Sequence, residues 1–166
     1  MENDSECFRI SLECRRILSD PRYSTEVSKT LIGWLRHPNA ASSDIAGRCL
    51  IKIGAPAFED LLTEVIAANK PPWSDAIWVL SEFTASSDRL LPLLRSWLSD
   101  ACGDLECQCA VGLAHMIVAL KREGLPPDTE DVLRCTRVFE RYVPRSPGMR
   151  VHYRGFLEGL REGPTS

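Results

Sequence analysis

Apolar residues recur along the chain at intervals of three and four. Ala46, Leu50 and Ile53 make one series, and Phe58, Leu61, Leu62 and Val65 make the next. Such intervals place side chains on one face of a helix that turns every 3.6 residues. Strict alternation over a strand's length, or a hairpin dipeptide between two β-branched runs, is hard to find, so the pattern predicts an all-α chain. The predicted helices cover roughly 5–18, 24–36, 43–53, 56–69, 74–84, 88–100, 104–121, 128–143 and 147–161.

Helix-breaking residues fall between these segments. Asp20-Pro21, His37-Pro38-Asn39, Gly54-Ala55-Pro56, Pro71-Pro72, Pro126-Pro127 and Ser146-Pro147-Gly148 all read as helix stops or starts. Ser43/Asp44, Ser74/Asp75 and Asp104 stand where a side-chain oxygen can accept an orphan backbone N–H, and Pro147 after Ser146 suits a first helical position.

The apolar pattern also repeats over a longer period. A shift of 30 residues carries Ala46, Leu50 and Ile53 onto Ala76, Leu80 and Phe83, and Leu61 onto Leu91. Trp34-Leu35 recurs as Trp97-Leu98, two such units later, and Ala110, Ala114 and Ile117 give a looser third copy. The stretch SDIAGRCLIKIGAPAFEDLLTEV, with Ala46 and Leu50, an Ile53-Gly54 joint, Pro56-Ala57 opening a second helix and the pair Leu61-Leu62, resembles a HEAT repeat of the short PBS-lyase HEAT-like type. The resemblance is fullest over 43–66 and extends over 74–100. It implies one right-handed α-solenoid domain over 1–166, of about four helical hairpins plus a terminal helix. In that arrangement 1–18 caps the N-terminus, 24–143 holds the repeats, 144–161 is the C-terminal cap helix and 162–166 is a flexible tail. The segments near 24–36, 56–69, 88–100 and 128–143 would form its concave face.

Composition narrows the function. The 166 residues are 44% hydrophobic and 26% charged, which is ordinary for a globular protein, and the net charge of −3 gives no global attraction to nucleic acid or anionic membrane. The opening MENDSECFRI carries acids where a secretory signal needs basic residues, so a cytoplasmic location is expected. The longest apolar run, CAVGLAHMIVAL, is too short to cross a bilayer and reads as a buried helix.

Seven scattered cysteines fit reduced thiols better than a disulfide framework. Within CGDLECQC, Cys107 and Cys109 project about 200° apart around a helix and cannot easily chelate one ion together; Cys102, in the preceding link, has no CxxC or HxxxH partner. His37 belongs to a helix-ending turn, and His115 reads as a core or edge histidine. No histidine precedes a glutamate, as the His-Glu pairs of HEAT-like hydroxylases would require. Nucleophile-elbow, P-loop and dinucleotide signatures are absent, so no catalytic residue, metal or cofactor is assigned.

Charge and aromatic patterning point to partner binding. Arg134, Arg137 and Arg141 share a helix face within a series that continues through Arg145, Arg150, Arg154 and Arg161, opposed there only by Glu140, Glu158 and Glu162. Arginine forks grip carboxylates and phosphates, although pairing of Glu130 and Asp131 with Arg134 would leave only a solvated face. Glu59, Asp60 and Glu64 form an acidic face that the start of a helix favours. Trp34 and Trp97 read as packing residues, and Trp73, at a helix start, as the most exposed tryptophan.

The expected function is a non-catalytic protein–protein interaction module, an adaptor or a neutralising (immunity) partner of a toxin or enzyme subunit. Its expected contacts are Glu59, Glu64, Trp73, Asp88, Arg134, Arg137 and Arg141. The competing class is a HEAT-like enzyme, either a chromophore lyase or an alkylpurine DNA glycosylase; the acidic net charge disfavours the latter.

Overall fold

A computed structural model describes residues 2–20, 24–68 and 73–163. All regular structure among them is helical. In chain order the helices are α1 (Glu2–Ser19), α2 (Thr25–Leu35), α3 (Ala40–Ile53), α4 (Ala55–Ala67), α5 (Ser74–Ser81), α6 (Ser87–Asp100), α7 (Asp104–Arg122), α8 (Thr129–Tyr142) and α9 (Pro147–Arg161), with a 3-10 turn at Thr84–Ser86. The chain divides into two compact units, Met1–Phe83 and Thr84–Ser166.

In the first unit α3 is the central helix, packed on α1, α2, α4 and α5, while α2 also lies on α4. The spacing of three and four explains this: Ala46 and Leu50 are fully buried, as are Ala76 and Leu80 at the equivalent places on α5. Leu31 and Leu35 of α2 and Leu61, Leu62 and Val65 of α4 complete the core, and the Phe58 ring meets that of Phe83, tilted, at 5.1 Å between centroids.

Gly54 is both the C-cap of α3 and the N-cap of α4. Its φ of 87° and ψ of −145° belong to a region that almost only glycine visits. Pro56 then sits within the first turn of α4, where no intrahelical partner for an N–H is missed. The stretch is a helix–helix joint.

Gly47 is a second glycine with a fixed role, because a Cβ there would overlap the ring of Trp78. Its bare backbone lets α5 lie close on α3.

The sequence expectation for the start of α3 needs correction. The cap is Asn39, whose side chain accepts from the N–H groups of Ala41 and Ser42. Ser43 lies inside the helix, buried, and Asp44 pairs with Arg48 at 2.8 Å. Asn39 belongs to the His37-Pro38-Asn39 punctuation, where the stop of α2 and the start of α3 coincide, and the expected helix at 43–53 begins three residues late. Ser24, Asp128 and Ser146 cap α2, α8 and α9 through their side-chain oxygens. Pro21, Pro71 and Pro72 lie outside the described residues, as does the side chain of Ser74.

In the second unit α7 is central, packed on α6, α8 and α9. Contact on several sides explains why Cys107 and Cys109, although they project in different directions, are both buried with Ala110, Leu113, Ala114, Met116 and Ile117. His115 is exposed, so it is a surface residue and not part of the apolar core. On α6 the buried series is Leu90, Leu94 and Leu98, with Leu91 half-buried, so the apolar face is set one residue earlier than the repeat alignment places it.

Phe139 of α8 meets Tyr153 and Phe156 of α9 at 5.3 and 5.7 Å. Gly159 allows α9 to pass Val118, which a Cβ would approach to 2.5 Å. Lys121 bonds the Glu162 carbonyl and Arg122 holds the Glu162 carboxylate at 2.9 Å, which fastens the end of α9 to α7. Residues 164–166 of the expected tail lie outside the described residues.

Candidate functional site

The second unit carries a cleft of about 200 Å³ bounded by α6, α7 and α8. Leu98 and Val138, nearly buried, supply apolar wall, and Ser99 stands beside them. Arg134, Arg137 and Arg141 line the cleft from α8. Their spacing of three and four brings all three forks to one face, and Val138, one residue past Arg137, brings apolar surface to the same opening.

The three arginines differ in what they already hold. Arg134 gives its Nε–H to Glu130 at 3.2 Å, an exposed pair four residues apart. Arg141 donates from Nη1 to Glu106 at 2.8 Å, and the hydroxyl of Tyr142 donates to the other oxygen of the same carboxylate, also at 2.8 Å. Glu106 is only 12% exposed and both its oxygens are occupied, so it is a committed part of the wall. Its hydrogen bond pushes the Tyr142 phenol above the ordinary range. Arg137 is exposed and has no ion-pair partner among the described residues.

The expected pairing of Asp131 with Arg134 is corrected by the structure. Asp131, buried at the start of α8, receives Arg95 from α6 through Nε at 2.9 Å to both oxygens and through Nη2 at 2.5 Å. A carboxylate buried to 4% exposure needs this fork to offset its lost hydration, and the Arg95 guanidinium is held above its ordinary range by the same bond. Arg95 and Asp131 are 36 residues apart, and sequence reasoning had no signal to join them.

Glu64 and Trp73 meet in the first unit through a residue that the sequence reading passed over. Arg36 lies 4.2 Å over the Trp73 ring and donates to Glu64 at 3.1 Å. Trp73 is half-buried beneath it. Glu59 is exposed on the same helix as Glu64. Neither acid occupies the first turn of α4, so first-turn helix polarity does not account for them; Glu64 is held by Arg36. Asp88 lies in the first turn of α6, about 15 Å along the helix from Leu98 at 1.5 Å per residue, and takes no part in the cleft.

His37 accepts from the Asn39 N–H at Nδ1 and turns Nε2 to Glu6 at 3.3 Å, closing the turn after α2. Among the described residues no group of three or more histidines, cysteines and acids is placed to hold a metal, and no helix is long and apolar enough to cross a membrane. Comparison with protein-family models, curated proteins and solved structures finds no significant match to this chain.

Proposed function

We propose that this protein is a non-catalytic binding module whose α6–α8 cleft grips an acidic region of a protein partner, in the manner of an adaptor or a neutralising partner. Arg137 carries the reading. It stands three residues from Arg134 and four from Arg141 with no acid of its own, and like charges at such spacings destabilise a free helix by about 0.2–0.5 kcal/mol each. An incoming anion would relieve that repulsion, and the apolar wall at Leu98 and Val138 gives it a partly desolvated seat in which an arginine fork is worth most. At about 200 Å³ the cleft matches a single side chain and falls below the roughly 300–1,000 Å³ of small-molecule sites.

A HEAT-like, right-handed solenoid is the architecture we propose for the helical hairpins. Packing of α1, α3 and α5 in series, with α2 on α4, supports it in the first unit, and packing of α7 on α9 supports it in the second.

The test is affinity capture from native-host extract with the wild-type chain, an R137E variant and an R150E control, Arg150 being exposed on α9. A stoichiometric protein partner retained by wild type and R150E but lost from R137E is the expected result. Equal recovery by R137E would remove the cleft from the reading.

A further inference from the structure

Resting on that reading, we propose that the cleft is a subsite for a phosphomonoester, which the partner presents as a phosphorylated side chain. Four charged groups line it, Arg134, Arg137, Arg141 and Glu106, and when the exposed Arg134–Glu130 pair opens to let Arg134 turn inward they leave a formal excess of two positive charges. A carboxylate would leave half of that excess unanswered, whereas a phosphomonoester carries nearly two negative charges at neutral pH.

The donors available agree with this count. Arg141 is spoken for by Glu106, itself fixed by Tyr142. Arg137 offers its whole fork. Arg134 is tied only through Nε to an exposed glutamate, a pair of low worth in water that leaves both its Nη groups free to turn inward. Two forks converging on one group suit three phosphoryl oxygens better than two carboxylate oxygens.

Leu98 and Val138 distinguish an esterified phosphate from the free ion, because inorganic phosphate has no apolar part to lay on them. The volume admits a phosphorylated side chain, while a nucleotide would overfill it.

The experiment is a titration of the intact, uniformly 15N-labelled protein, following the arginine Nε–H and backbone signals. Inorganic phosphate, phenyl phosphate and phenylacetate are added separately at constant ionic strength. Phenyl phosphate is expected to shift signals of α8 and the end of α6, to bind about tenfold more tightly than phenylacetate and more tightly than inorganic phosphate, and to weaken about tenfold in R137Q. Its affinity is also expected to fall as pH drops from about 7.5 to 5, through the second phosphate ionisation near 6.

Equal binding of phenylacetate, an unaltered affinity in R137Q, or shifts dispersed away from α6 and α8 would overturn the phosphate assignment. Preference for inorganic phosphate over phenyl phosphate would overturn the esterified source. Loss of the captured partner from R137E alongside a failed phosphate titration would leave the binding module standing and refute this inference alone.

Discussion

Burial sets apart the seven thiols of this chain. Cys109 and Cys135 are fully enclosed, and burial pushes both up to about 12. Cys107 is raised as well, first by burial and then by Asp104 and Glu106. Across the α1–α3 contact the hydrogen bond between Cys14 and Cys49, together with burial, holds the Cys49 thiol well above its ordinary range; the same bond lowers Cys14, whose protection from reagent is its burial alone. The thiolate is the nucleophile, so a group with a pKa near 12 is only about one part in 10⁴ reactive at pH 8. Cys102 is exposed and Cys7 half-buried. An aromatic disulfide reagent at pH 8 should therefore react fast with Cys102, more slowly with Cys7, and with the other five only after denaturation. Fast labelling that persists in C102S, or release of all seven at one rate, would contradict this protection. The sequence supported a structural reading of Cys107 and Cys109 because two positions separated by two residues diverge on a helix. It could not say that α7 is contacted on several sides, which is why both are buried.

Two glycines illustrate how single positions govern whole helices. At Gly54 a Cβ would meet nothing within 4 Å, so the cost of G54A is conformational, on the order of 1–3 kcal/mol for leaving the φ of 87° that joins α3 to α4. At Gly47 the backbone is ordinary and the space is filled by Trp78, so G47A should cost about 1–3 kcal/mol by overpacking. W78L should recover much of the loss at Gly47 and none at Gly54. Gly33, open to solvent on α2, gives the opposite sign: G33A should stabilise by about 0.5–1 kcal/mol. Urea unfolding of the four single variants and of the doubles G47A/W78L and G54A/W78L checks the pattern, and failure of W78L to offset G47A would show that the α3–α5 approach is set elsewhere. Gly54 was legible because it lies between two runs of helical period and beside a proline. Gly47 was not, since it sits within a run and its partner is 31 residues away, beyond what periodicity encodes. Asn39 escaped for a third reason: its cap follows Pro38 immediately, so the signals for stopping and starting coincide.

Charge is distributed unevenly over the molecule. Residues 1–83 hold twelve acids against nine basic residues, residues 84–166 hold eleven of each, and 134–166 alone hold seven arginines against three glutamates. A net charge of −3 conceals this last segment, which is why composition weighed against anion binding while spacing pointed to it. Spacing identified the three arginines, but only the folded chain shows that Glu130 and Glu106 take up the outer two and leave Arg137, because Glu106 comes from α7. Such a site has a kinetic signature. An exposed basic surface steers an acidic partner over about a Debye length, some 10 Å at 0.1 M salt and 3 Å at 1 M. Raising salt from 0.05 to 0.5 M should therefore slow association with the captured partner by about tenfold or more, with a smaller change in dissociation. R150E, which reverses an exposed charge outside the cleft lining, should reduce the association rate and its salt slope while changing dissociation little. R137E, which removes a group seated in the cleft, should accelerate dissociation as well. Surface plasmon resonance at several salt concentrations separates these cases. An R137E variant that alters only the association rate, as R150E does, would mean that Arg137 contributes to the field around the protein without contacting the partner.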